Sequence, residues 1–165
     1  MARQGSSRIK GQAGMTLLEL LITAVIILVL ASVALPLSRI GERRTKEIEL
    51  RQELRALRDA IDAFKADWDN KKIAHSVSDI ANEETGYPKR LDVLTLGVPV
   101  GDPNQKKIRK YLRRIPKDPF TGSAEWGSRC YEDDQDTLIS CNKDIYDVFS
   151  KSDETALDGT KYQTW

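Results

Sequence analysis

From Thr16 to Leu35 the chain is built almost wholly of Leu, Ile, Val and Ala, and a single acid, Glu19, interrupts it near its start. About 20 such residues, rising roughly 1.5 Å each, make a helix as long as a bilayer's hydrocarbon core is thick. A carboxylate at that depth costs about 2.5–3.5 kcal/mol. Glu19 therefore reads as a functional residue that needs a partner. The residues just ahead of the run include Arg3, Arg8 and Lys10 and no acid. Cytoplasmic flanks carry such an excess of positive charge, so this end is expected to stay inside and the body of the chain to be exported.

Three readings fit this N-terminus. One is a cleaved secretory signal, with Ser32-Val33-Ala34 as the small-residue site. Another is an uncleaved anchor on a periplasmic binding domain. The third takes Gly14-Met15 as a processed bond. An ordinary secretory apolar region spans about 7–15 residues and gains nothing from an acid. This one is longer, holds Glu19, and runs straight into a second helical pattern, which favours the third reading.

On these residues the chain resembles the prepilin signal of the type IV pilin and type II secretion pseudopilin superfamily. The match is a basic leader ending in Gly14, then Met15 where that family usually has Phe. Thr16-Leu17-Leu18-Glu19-Leu20-Leu21 follow, and the apolar helix has Pro36 near its end. The resemblance implies that a prepilin peptidase cuts after Gly14 and methylates the new amine on Met15, which keeps its charge. It further implies a homopolymer in which Glu19 of one copy pairs with the Met15 amine of a neighbour and so fixes axial register. Other pseudopilins and inner-membrane secretion assembly proteins are the implied partners.

From Glu42 to Trp68 the pattern changes while the helix is expected to continue. Leu50, Leu54, Leu57, Ile61, Phe64 and Trp68 recur at spacings of four and three, one apolar stripe on a charged helix. Glu47 and Arg51 stand at i, i+4 and are expected to pair. The stripe is either a coiled-coil seam or a face that packs on its own head, and its brevity favours the head. Met15 to Trp68 then reads as one helix, about 80 Å if straight, kinked or loosened by one turn at Pro36. The organisation expected is a leader at 1–14, an assembly helix at 15–38, and a head at 39–165 that includes the amphipathic helix 42–68. The fold class is α+β, with a long N-terminal helix packed on a small antiparallel sheet head, pilin-like.

Beyond Trp68 the signals are shorter. Residues 69–86 are polar and read as a loop with at most a helical turn near Ser78–Ala81; the lone histidine, His75, reads as solvated. Tyr87–Leu94 suggests a short helix entered through Pro88. Pro99, Gly101, Asp102 and Pro103 mark a loop. In Tyr111-Leu112-Arg113-Arg114-Ile115-Pro116-Lys117-Asp118-Pro119-Phe120-Thr121-Gly122 the prolines exclude a regular helix or a central strand. That string resembles the loop preceding the sheet in major pseudopilins. Glu125–Tyr131 and Ile145–Ser150 read as strands about a polar turn at Asp133–Asp136. Cys130 and Cys141 flank that turn, and in an oxidising compartment they are expected to pair. Tyr162 and Trp165 are expected to pin the polar tail to the sheet.

The segment from Ser150 to Gly159 is rich in hard oxygen donors. Asp153, Asp158, Ser150 and Ser152 are a candidate calcium set, placed where the resemblance to major pseudopilins puts a structural calcium. No phosphate loop, CxxC, HExxH or GxSxG occurs, and one loop histidine argues against a nucleophilic triad, so no enzyme is expected. Lys and Arg total 26 and Asp and Glu 25, interspersed, which gives no basic footprint for nucleic acid. The function the resemblance implies is a structural subunit of a type II secretion pseudopilus in the inner membrane and periplasm. A type IV pilin or minor pilin is the alternative, since the cysteine pair favours it.

Overall fold

The computed structural model describes residues 16–73, 79–101, 107–134, 136–140 and 142–165, and for 33–37 only the helical backbone. Helix α1 (Leu17–Asp69) contains 53 residues and stays helical through Pro36 and Gly41. Thr16 opens it. Its carbonyl accepts the Leu20 N–H at 3.0 Å and its hydroxyl accepts the Glu19 N–H at 3.3 Å, as an N-cap residue does. At the other end Lys71 takes a left-handed φ of 56°. The Lys71 and Lys72 amides bond back to the Trp68 and Asp67 carbonyls at 2.9 and 3.0 Å. This is the two-bond stop that usually places Gly where Lys71 stands.

The chain divides into two compact units after Gly41. In the first, the apolar side chains of α1 stand in the open: Leu17, Leu20, Val25, Leu28 and Leu30 are all more than half exposed. Among the described residues no helix is long and apolar enough to cross a membrane. The apolar stretch whose side chains are described, 17–32, covers about 24 Å at roughly 1.5 Å per residue.

In the second unit the expected stripe faces inward. Leu50, Leu54, Leu57, Ile61, Phe64 and Trp68 are buried against Ile73, Leu94, Val98, Val148 and Tyr162 of the same chain. The stripe belongs to its own head rather than to a coiled coil. Each fully buried Leu, Ile or Phe contributes about 1.5–3 kcal/mol, so this face anchors the head.

Helix α2 (Asp92–Leu96) begins later than Tyr87–Leu94 suggested. Pro88 pairs in extended form with Ala81, and its carbonyl accepts the Ile145 N–H at 2.8 Å. Residues 87–91 thus connect the core to the sheet, a tertiary use that overrides local helix preference. Strands β1 (Val98–Val100) and β2 (Lys107–Arg109) form an antiparallel pair with Pro99 opposite Ile108. The sequence signals mark this stretch as a loop, but Pro99 stands in β1, where its pairing with Ile108 on an edge needs no proline N–H; Asp102 and Pro103 lie outside the described residues. Three-residue strands carry too little pattern, and β1 is set by Val98 entering the core and Ile73 bridging Val100.

Strands β3 (Gly127–Arg129) and β4 (Asp147–Phe149) pair antiparallel inside the two expected spans. Gly127 lies opposite Phe149, and a Cβ there would sit 2.4 Å from the Phe149 ring. Only glycine lets that ring cross the strand. A 3-10 turn, Tyr162–Thr164, packs on β4. One long helix and two small antiparallel sheets make an α+β, pilin-like fold.

Candidate functional site

Gly14 and Met15, the expected processing pair, lie outside the described residues, as do His75 and Cys141. Glu19 is described and exposed, in the first turn of α1. It stands three residues after the cap, so Thr16-Leu17-Leu18-Glu19 has the spacing of a capping box. A carboxylate there also meets the positive end of the helix dipole, an effect of about 0.3–1 kcal/mol. Glu19 is therefore placed where its carboxylate suits the start of its own helix as well as a neighbour's charge. The Thr-x-x-Glu signal was legible in the sequence, and the intermolecular reading of Glu19 passed over it. Pro36 sits within the unbroken helical backbone.

The largest polar constellation joins α1 to the C-terminal tail. Arg43, Glu47 and Arg51 stand one helical turn apart, and Arg58 follows on the same flank. Arg43 donates through Nε to the Tyr162 hydroxyl at 3.2 Å, reaches the Thr155 carbonyl, and lies 3.3 Å from Glu154. Glu47 accepts the Leu157 N–H at 2.7 Å and the Tyr162 O–H at 2.9 Å. The guanidinium of Arg51 lies 4.0 Å from the Trp165 ring centroid and 3.6 Å from Asp158. Arg58 donates to Asp147 at 2.7 Å and to the Val148 and Trp165 carbonyls at 3.2 and 2.9 Å.

Buried Arg129 completes the network. It donates to Asp147 at 3.0 Å and to the Thr137 and Gln163 carbonyls at 2.9 Å. Glu47 and Arg51, expected to pair with each other, both turn to the tail. Their side chains gain more from orphan backbone groups and an aromatic face than from an exposed i, i+4 pair of about 0.3–0.5 kcal/mol.

The tail aromatics reach further than the sheet. Tyr162 is fully buried, stacked on Phe120 with centroids 4.0 Å apart, and Trp165 meets it edge-on at 5.0 Å. Burial pushes the Tyr162 phenol up from its ordinary value, while the Arg43 bond opposes that. The spacing 43, 47, 51 beside the apolar stripe was visible in the sequence. What it would bind was not.

The proline string is tied down by Asp118. This carboxylate is fully buried; Oδ1 accepts the Phe120 N–H at 2.8 Å, and Oδ2 accepts the Ser150 hydroxyl at 2.6 Å. The Trp126 indole donates to the Pro116 carbonyl at 3.0 Å. Cys130 is buried, and no described cysteine is free. Its expected partner is outside the described residues.

The oxygens expected to hold calcium have other partners. Ser150 points into its buried bond with Asp118, and its Oγ accepts the Ser152 N–H at 3.0 Å. Ser152 Oγ accepts the Glu154 N–H at 3.4 Å. Asp158 accepts the Thr160 N–H and O–H at 2.9 and 2.6 Å; Thr160, and then Arg51, hold its carboxyl below the usual range. Asp153 is exposed. A guanidinium against the carboxylate and a serine aimed into the core do not fit a calcium shell.

A cleft of about 480 Å3 beside Trp165 is lined by Arg58, Asp62, Arg129, Asp133 and Asp147, and both arginines are held by Asp147. Among the described residues no group of three or more His, Cys, Asp or Glu is placed to hold a metal.

Residues 9–35 match the family described as the prokaryotic N-terminal methylation motif. That motif is typical of type IV pilin-like proteins and marks a structural rather than an enzymatic family. No curated protein and no solved structure matches the chain.

Proposed function

We propose that this chain is a non-enzymatic subunit of a helical filament, stored in the inner membrane and assembled with its head in the periplasm. The observation that carries the reading is the methylation motif at residues 9–35, which takes in the first part of α1. The open apolar side chains of residues 17–30 support it: a face of that size in a monomer calls for lipid or neighbouring helices as cover. Within the filament, Glu19 pairs with the methylated amine of Met15 on a neighbour. An unpaired charge in hydrocarbon is costly, so this pair selects register more than it adds stability. Prepilin peptidase and the inner-membrane assembly proteins are the partners of this pathway.

Among such filaments the type II secretion pseudopilus is favoured. The support is the string from Tyr111 to Gly122, which resembles the loop preceding the sheet in major pseudopilins, and the tail of more than 20 residues after Cys141, unlike a pilin whose disulfide loop lies near its end. A Cys130–Cys141 bridge, which we also propose, favours the second reading, a type IV pilin or minor pilin. The test is intact mass of membrane-extracted protein together with sedimentation of sheared filaments. A chain starting at methylated Met15 that pellets as a polymer is expected. A chain starting at Leu35, or one retaining Met1, overturns the reading.

A further inference from the structure

Two exposed faces on opposite flanks of the head carry opposite charge. The first is centred on three tyrosines. Tyr87, Tyr131 and Tyr146 pack on one another with centroids 5.2–5.9 Å apart, and Lys65 of α1 lies 5.6 Å from the Tyr87 ring. Tyr131 and Tyr146 are nonetheless about half exposed, and Ile139 in the same loop is 81% exposed. The loop that bears them is acidic, with Glu132, Asp134 and Asp136 exposed; Glu132 pairs with the exposed Lys143 at 3.0 Å, which leaves Asp134 and Asp136 as the open charges.

The second face is the outer side of the β1–β2 pair. Ile108 crosses Gly97, where an added Cβ would meet it at 2.7 Å and the Lys110 stem at 2.9 Å. Leu96 and Ile108 are 65% and 63% exposed. Lys110, Arg113 and Arg114 follow in the chain, exposed, with no ion pair to any described residue.

Their placement follows from α1. The tyrosine face lies over Lys65. The β1–β2 pair is held on the other side by Asp67, which bonds Arg109 at 2.8 Å and the Tyr111 hydroxyl at 2.9 Å. Positions two apart on a helix are about 200° apart, so Lys65 and the buried carboxylate of Asp67 lie on either side of the apolar stripe. Neither face can fold back on the other within one head. An apolar centre rimmed by acid on one flank, and by base on the other, is a head-to-tail pair of surfaces. Such heterologous contacts produce open helical polymers rather than closed dimers.

We propose that these faces dock on each other between neighbouring copies: the acidic tyrosine face of one head receives the basic Leu96–Ile108 face of the next. The inference rests on the filament reading and adds to it the contact that sets rotation between heads. Tyrosines with two stiff torsions suit such a centre, and the charged rim orients it.

The experiment uses the full chain, assembled in membranes and recovered as sheared filaments. Lys110→Glu, Arg113→Glu and Arg114→Glu together are expected to cut pelleted filament by at least about tenfold, since like charges then face each other. A second variant, Glu132→Lys, Asp134→Lys and Asp136→Lys, is expected to fail alone and to restore filaments when co-expressed with the first. Separately, Ile108→Cys in one copy and Ile139→Cys in another are expected to cross-link on mild oxidation, and neither alone.

Melting of each variant in detergent at the wild-type midpoint rules out misfolding as the cause. Wild-type filament yield in both reversed variants, without the cross-link, overturns this contact and leaves the filament reading standing. Loss without mutual rescue overturns it too, because the faces then serve some other partner. A wild-type chain that never pellets overturns the filament reading itself.

Discussion

Asp118 is the residue whose removal the head should tolerate least for its size. It is fully buried, has no cation partner among the described residues, and ties the proline string to the end of β4 through Ser150. Asp118→Ala leaves the Phe120 N–H and the Ser150 O–H without acceptors. An orphaned buried group costs about 1–3 kcal/mol, so two imply about 2–6 kcal/mol, a large part of a typical domain stability of about 5–15 kcal/mol.

Ser150→Ala costs less, about 1–3 kcal/mol, because it strands the Ser152 N–H and removes one donor from Asp118. The double variant removes the very hydroxyl that Asp118→Ala orphans. It should therefore be less destabilised than the sum by about 1–2 kcal/mol. Asp118→Asn retains an oxygen for the Phe120 N–H and falls between wild type and Asp118→Ala. The assay is urea unfolding of the purified protein followed by tryptophan fluorescence, since Trp126 bonds to Pro116 of the same string. Asp118→Ala within about 1 kcal/mol of wild type, or strict additivity with Ser150→Ala, would refute the reasoning.

Glu19→Gln is expected to keep α1's start but lose the charge that a neighbour's amine requires, so it, like Glu19→Ala, is expected to insert normally and assemble poorly. Wild-type filament yield in Glu19→Gln would leave only the capping role. At alkaline pH the head should weaken. Burial, and then the bond to Asp67, push the Tyr111 phenol well above its ordinary value, so the folded state holds that proton more tightly than the unfolded chain. The stabilisation is full below the unfolded value of about 10 and is lost as pH rises from there toward the folded one. Melting midpoints measured upward from pH 9 should fall, and Tyr111→Phe should flatten the fall; an identical slope in the variant would exclude Tyr111 as its source. Calcium is decided by melting with millimolar calcium and then with chelator. With Asp158 held by Thr160 and Arg51, the midpoint should not move, whereas a rise that Asp158→Ala abolishes would restore the calcium proposal.

Periodic and positional signals survived translation into structure because they depend on neighbours along the chain. The Leu50–Trp68 stripe is a property of 3.6-residue geometry, and the helix from Leu17 to Asp69 buries that stripe in its head. The Gly14-Met15-Thr16-x-x-Glu19 start is a local motif, as is its capping box. The strands around Cys130 and before Ser150 were legible from residue type and a polar turn. The β1–β2 hairpin was not, because three-residue strands are chosen by what they touch, here the core at Val98 and Ile73.

The partners of charged side chains were illegible for the same reason. On sequence spacing Glu47 should meet Arg51; in the fold each finds a tail residue more than 100 positions away. Ser150 and Asp158 read as hard-oxygen donors until the structure turned one into the core and the other onto a guanidinium. Sequence by itself determined that this chain has one long two-part helix and an N-terminal methylation motif. Only the tertiary structure decided which faces of the head remain open to a neighbour, because exposure is what is left after every long-range contact has been made.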